Sequence, residues 1–249
     1  MKQGQVTIFV ILGLLIVVSL AVFLLYSNLG GRGAALGEAK DITSLLPEFA
    51  DSGQAIESCL DAVLLGGVTE IGLKGGYMDN AGLKKYDYAG LGVTYLYYDE
   101  QLLLPKRDQI AEDLAAYVKA NALQCARIPA DVAVVPGTLK DVNVYIRENT
   151  VDAEVEWPIT FKRGDTSSRV EVMRATAPVR LGKIMDEITG FMAVQVEKPK
   201  EVCLSCLIDA GERNSFMIEV DNMITTYVFD IKDTAAKGAA YEFVFANGY

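Results

Sequence analysis

Residues Val6 to Tyr26, VTIFVILGLLIVVSLAVFLLY, run for 21 positions without a charge. As a helix rising about 1.5 Å per residue, such a run spans roughly 30 Å, the thickness of a bilayer's hydrocarbon core. A secretory signal peptide has a shorter apolar region, about 7–15 residues, and ends in a small-residue cleavage site. Here Ser27-Asn28-Leu29-Gly30-Gly31 offers no clear A-x-A site. A buried core helix would need protein around it, whereas this run stands near the first residue and leads into a Gly-rich stretch. The expectation is therefore a leader and transmembrane helix over 1–27, a linker over 28–46, and an extracellular α+β domain over 47–249. A division of that domain near residue 130, into a helix-rich and a sheet-rich half, stays open.

Lys2 precedes the helix, and Arg32 and Lys40 follow it closely, which is nearly a tie under the positive-inside rule. A short tail is easily left in the cytoplasm, and long domains translocate regardless of charge. The expected topology is a single pass, with the N-terminus cytoplasmic and the C-terminal domain outside. The bilayer, through Val6–Tyr26, is the first expected partner.

Lys2 is the only charged side chain among the first 30 residues, so the other 219 carry 22 Lys+Arg against 33 Asp+Glu. That acidic balance disfavours nucleic acid, whose phosphates reward Lys and Arg. The chain has no histidine. This removes the usual general base and the commonest metal ligand, and it excludes Ser-His-Asp and Cys-His chemistry. Paired carboxylates are the remaining acid–base option. Asp99-Glu100, Glu112-Asp113 and Asp186-Glu187 have no EF-hand spacing, and adjacent residues on a helix do not share a face. No catalytic residue, metal or cofactor is expected.

Four cysteines, Cys59, Cys125, Cys203 and Cys206, read as two disulfides in an extracytoplasmic domain. Of three pairings, Cys59–Cys125 and Cys203–Cys206 are favoured: the first joins the ends of two predicted helices, the second closes a tight ring. The C-x-x-C at Cys203-Leu204-Ser205-Cys206 is also a redox motif. In thioredoxin-like proteins it follows a strand and opens a helix, but here it follows a predicted helix with no β-α-β frame before it. A structural disulfide is the preferred reading. A thiol–disulfide oxidoreductase is the alternative, and a four-thiolate zinc site lacks its second C-x-x-C.

Apolar spacing of three and four predicts helices over Asp51–Leu73, Asp108–Leu123 and Leu181–Lys198. Alternation predicts an antiparallel meander through Val142–Ile146, Val151–Phe161 and Val170–Val172, with one wet face and Pro158 marking an edge or bulge. A hairpin is predicted with Phe216, Ile218 and Val220 against Ile224, Thr226 and Val228 across Asp221-Asn222, followed by a last strand, Tyr241–Phe245. The fold class is α+β, an antiparallel-sheet ectodomain with about three packed helices. Tyr86, Tyr88, Tyr95, Tyr97 and Tyr98 crowd one β-prone stretch. They are either sheet residues with some buried rings or a recognition face, because Tyr is favoured in binding surfaces.

Lys2-Gln3-Gly4 followed by Gln5-Val6-Thr7-Ile8-Phe9 resembles a type IV pilin leader. That resemblance implies cleavage between Gly4 and Gln5, with the apolar helix retained. Bacterial pilins carry Glu at the fifth mature position, where this chain has Phe9, and archaeal ones often lack it. More widely, the leader, IESCLDAVLLGGVTEIGLKGGY, TYLYYDEQLLLPKRDQIAEDLAAYVKANALQC, APVRLGKI and EVCLSCL resemble an uncharacterised family of membrane-anchored surface proteins from small-genome (DPANN-type) archaea. The resemblance implies a surface location and a shared cysteine pattern, and it carries no activity. The function expected is a non-enzymatic, membrane-anchored surface protein with a structural or adhesive role toward an envelope or cell-surface partner. A self-assembling pilin-like subunit is the second reading, and an oxidoreductase using Cys203 and Cys206 the third.

Overall fold

A computed structural model describes residues 41–127, 132–235 and 240–249. The Val6–Tyr26 run and the Gly4-Gln5 junction lie outside the described residues. In chain order the elements are α1 (Pro47–Leu73), β1 (Lys85–Tyr88), β2 (Leu91–Tyr98), β3 (Gln101–Leu102), α2 (Arg107–Asn121), β4 (Ala133–Pro136), β5 (Asp141–Ile146), β6 (Val151–Arg163), β7 (Thr166–Ala177), α3 (Leu181–Glu197), α4 (Leu204–Asn214), β8 (Phe216–Asn222), β9 (Thr226–Asp233) and β10 (Tyr241–Gly248). The fold is α+β, with two sheets rich in antiparallel pairs and four helices among the described residues. Among those residues no helix is long and apolar enough to cross a membrane.

The 27-residue α1 is the spine. It begins at Pro47, four residues before the sequence expectation, because proline at the first helical position forfeits an N–H that had no partner anyway. Phe49, Ile56, Leu60, Leu64, Val68 and Ile71 repeat at helical spacing and are fully buried. They pack toward β7 on one side and β10 on the other, so one core joins both sheets. A boundary near residue 130 does not divide it. The helix ends as Gly75 and Gly76 enter the left-handed region, φ +70° and +93°, where the Gly76 N–H reaches back to the Ile71 carbonyl.

The first sheet runs β1-β2-β10-β9-β8, with β3 also paired to β2, and only the β2–β10 pair is parallel. The second is antiparallel: β4 and β5 share one side of β6, and β7 takes the other. The meander is thus present, but Pro158 lies in the central strand, where the register shifts between Glu156 and Ile159. It marks a bulge and not an edge, since a ladder bond that proline cannot donate is skipped there. The edge of β7 is covered by α1. Glu57 and Asp61, one helical turn apart, accept the free backbone N–H groups of Arg174 (2.8 Å) and Thr176 (2.7 Å). That removes an open edge from solvent. Burial of Glu57 raises its carboxyl pKa, against the pull of the Arg174 amide.

Other expectations need correction. Residues 41–46, expected in the linker, contribute to the core: Leu45 is buried, Ile42 is half-buried, and a Cβ at Gly53 would stand 2.6 Å from Leu45. A fourth helix, α4, stands at Leu204–Asn214, where the sequence reading places none. The 216–233 hairpin turns later than expected, so Phe216, Ile218 and Val220 face Asp233, Ile231 and Phe229. The turn falls at Met223–Thr225, where the Asn222 side chain accepts the Ile224 N–H at 3.0 Å and Ile224 takes φ +70°.

An ion pair ties the helical layer to the first sheet. Asp233 is wholly buried at the end of β9, and Arg180, just before α3, grips both its oxygens. The same guanidinium donates to the Asn214 carbonyl at 2.9 Å, at the end of α4, and lies 4.6 Å from the Phe216 ring centre. Two other chain segments, 34 and 53 residues along from Arg180, meet at its one fork of donors.

Candidate functional site

The five clustered tyrosines divide between packing and a cleft. On β1, Tyr86 and Tyr88 are half-buried; on β2, Tyr95 and Tyr97 keep only 5% and 2% of their surface. Tyr86 and Tyr88 lie with Leu73 and Leu103 against a small second core of Val93, Tyr95, Val228, Val244 and Ala246. The rings therefore cover the sheet face turned away from the main core. The Tyr88 hydroxyl donates to the Asp221 carboxylate, and this bond raises the phenol pKa. The Tyr95 hydroxyl and Thr226 Oγ1 form a hydrogen bond at 2.7 Å. Tyr98 alone among the five is exposed.

Tyr95, Tyr97 and Tyr98 nevertheless converge on a cleft of about 500 Å³, closed on the far side by Thr225, Thr226 and Tyr249. The Tyr95 and Tyr98 rings lie 4.9 Å apart, and Lys84 Nζ sits 4.8 Å from the Tyr98 ring centre. Lys85, Lys200, Asp99 and Glu100 complete the rim. Burial pushes the Tyr249 phenol up to about 12, so it stays a neutral donor, and it bonds to Gln195. Asp99 and Glu100 form the β2–β3 turn with φ of +51° and +59°. Side chains other than glycine pay for such a conformation. Ile224, next in sequence to Thr225 of the lining, also takes a positive φ of +70° and is 94% exposed, a strained apolar tip. Aromatic faces, mixed charge and hydroxyls suit recognition of a polar surface by stacking and hydrogen bonds.

Of the three acidic pairs, Asp186-Glu187 ties elements together. Asp186 pairs with Arg107, and Glu187 holds Arg213 at 2.7 Å and the Asn214 amide at 2.8 Å. Among the described residues no group of three or more acidic or cysteine side chains is placed to hold a metal ion.

Both favoured disulfides form, and they differ in setting. Cys59 of α1 joins Cys125, fully buried in the 3₁₀ turn after α2, with Cα atoms 5.5 Å apart. Closing a loop of 66 residues, it restricts the unfolded chain by about 4 kcal/mol in the chain-entropy model. Cys203–Cys206 closes a ring of a few residues, worth about 2 kcal/mol on the same scale. Cys203 is the N-cap of α4, and its sulfur accepts the Cys206 N–H at 3.3 Å, with Ser205 Oγ 3.5 Å away. The pair follows a helix, as expected, but it also opens one. The signal for α4 was present in Leu204, Leu207, Ile208 and Gly211, spaced three and four apart.

Comparison with known proteins finds no matching family model, no similar curated protein and no solved structure of matching fold.

Proposed function

We propose that this chain is a single-pass, membrane-anchored protein whose α+β domain stands outside the cell and acts by contact, as a structural or adhesive element of the envelope. The observation that carries the reading is a conjunction. A 21-residue uncharged run leads into a domain in which all four cysteines of the chain pair. The run fits a bilayer core, and paired cysteines belong to oxidising compartments. The tyrosine-lined cleft, with its lysine rim and the exposed Ile224 tip, is the contact face. Its partner is an envelope or cell-surface component. The resemblance to membrane-anchored surface proteins of small-genome archaea agrees with this location. The pilin-like leader gives the same reading a second form, in which cleavage after Gly4 lets the apolar helix pack subunits into a filament.

Membrane extraction and the mass of the native protein test it. A protein that resists an alkaline wash and dissolves only in detergent supports the anchor; release by the wash overturns it. A native chain beginning at Met1 fixes the simple anchor, and one beginning at Gln5 fixes the filament form.

A further inference from the structure

We infer that Cys203–Cys206 is a thiol–disulfide exchange site, with Cys203 the sulfur that meets the substrate and Cys206 the resolving one. The inference is independent of the tyrosine cleft and of the contact role. Four observations converge on it. The pair sits at the first residues of an 11-residue helix, where backbone N–H groups point at a developing thiolate. Of those groups the Cys206 N–H already reaches the Cys203 sulfur at 3.3 Å, and the Ser205 hydroxyl lies within reach of the same atom. Cys203 is half-buried and borders an open hollow of about 220 Å³ between the end of α3 and Ser205; in the other disulfide Cys59 is half-buried as well, but its partner Cys125 has no exposure. Finally, a groove of about 410 Å³ starts at Leu204 and runs between α4 and β8, the last strand of its sheet. Leu204 and Ile208 on its wall are 55% and 61% exposed, and Phe216, Ile218 and Val220 line its floor. An apolar groove that begins beside a reactive sulfur seats the residues flanking a substrate cysteine.

The chemistry balances with the disulfide itself as the oxidant. A substrate thiolate attacks the Cys203 sulfur, the Cys203–Cys206 bond breaks, and Cys206 leaves as a thiolate and takes up a proton. The substrate's second thiolate then attacks its own sulfur in the mixed disulfide. The substrate disulfide forms, and Cys203 departs as the thiolate held by the Cys206 N–H and the Ser205 hydroxyl. Two electrons pass from the substrate dithiol to the pair. Run backwards, the reduced pair reduces or reshuffles a substrate disulfide.

The test uses the full chain in detergent. Glutathione buffers of stepped ratio are followed by alkylation and intact mass, and the reduced protein is alkylated at about pH 6. Cys203–Cys206 is expected to titrate while Cys59–Cys125 stays oxidised, and Cys203 to alkylate at least about tenfold faster than Cys206, the ratio a one-unit lower thiol pKa gives at a pH below both values. Cys206→Ser is expected to trap a mixed disulfide on Cys203, with oxidised glutathione in one arm and a disulfide-linked peptide with leucines beside its cysteine in the other. A faster peptide assigns the substrate to polypeptides, and faster glutathione assigns it to a small thiol; both outcomes keep the site. Equal alkylation of the two wild-type thiols overturns it, and so does the absence of a mixed disulfide in both arms of the folded variant. The wild-type arms need no variant, so a variant that fails to fold leaves a decisive result.

Discussion

Replacing Asp233 by Asn should unsettle both sheets, though it touches only one. Asp233 has no exposed surface, and Arg180 keeps 16% of its side chain exposed. The substitution leaves a largely buried guanidinium facing a neutral amide. Breaking a buried pair from one side costs about 3–5 kcal/mol, because the stranded charge stays desolvated. Arg180 keeps the Asn214 carbonyl and the Phe216 ring, so the lower part of that range, about 3 kcal/mol, is the expected loss. Against a total of about 5–15 kcal/mol for a domain, that loss is large. The chain carries one tryptophan, Trp157, fully buried in β6 of the other sheet and bonded through its indole N–H to the Gly137 carbonyl. Urea unfolding of the full chain in detergent, read by Trp157 fluorescence, therefore reports at a distance. With a slope near 2.5 kcal/mol per molar, the midpoint should fall by about 1.2 M. A shift below about 0.3 M would show that the pair holds nothing. A Trp157 transition that stays put while helical circular dichroism moves would refute the single core around α1.

Three further outcomes follow from the same geometry. Removing Cys59–Cys125 by paired Ser substitution should cost about 4 kcal/mol in urea unfolding, and removing Cys203–Cys206 about 2 kcal/mol or less. In Gly72→Ala the new Cβ would lie 2.3 Å from the Glu242 carbonyl oxygen, so α1 must lift off β10; the expected loss of about 2–3 kcal/mol should lower Tm by about 6 °C or more by calorimetry. Asp230 has a carboxylate oxygen buried without a partner, and burial raises its pKa against the pull of Lys232. A raised pKa means that the native state holds the proton more tightly than the unfolded chain. Stability from this group is therefore present at low pH and lost as pH rises through the folded value. Asp230→Asn removes the dependence, so the variant should gain on the wild type as pH rises above the ordinary aspartate value of about 4 in urea titrations.

Local periodicity made much of this fold legible. The buried stripe of α1 reads directly from Ile56, Leu60, Leu64, Val68 and Ile71, and the alternation of Val151, Ala153 and Val155 gives β6 its face. The pairing of β2 with β10 does not read at all, because Tyr95 and Ala246 meet as parallel neighbours with no local signal linking them. Arg180 and Asp233 are likewise ordinary surface types until the chain folds them together. α4 is masked by its own motif: the C-x-x-C of Cys203 and Cys206 reads as a tight ring and overlies the helical spacing of Leu204, Leu207 and Ile208. The tyrosines were legible as a cluster, but their division into a second core and a cleft depends on how far the sheet turns Tyr86 and Tyr88 over Val244.

The proposed extracytoplasmic position of the domain is tested most directly by labelling intact cells with a membrane-impermeant amine reagent and mapping the modified lysines by mass spectrometry. Lys84, Lys85 and Lys200 are exposed on the cleft rim and serve as the markers. Equal labelling of these three before and after cell lysis is the expected result. Labelling that appears only after lysis would put the domain inside and contradict the proposed function.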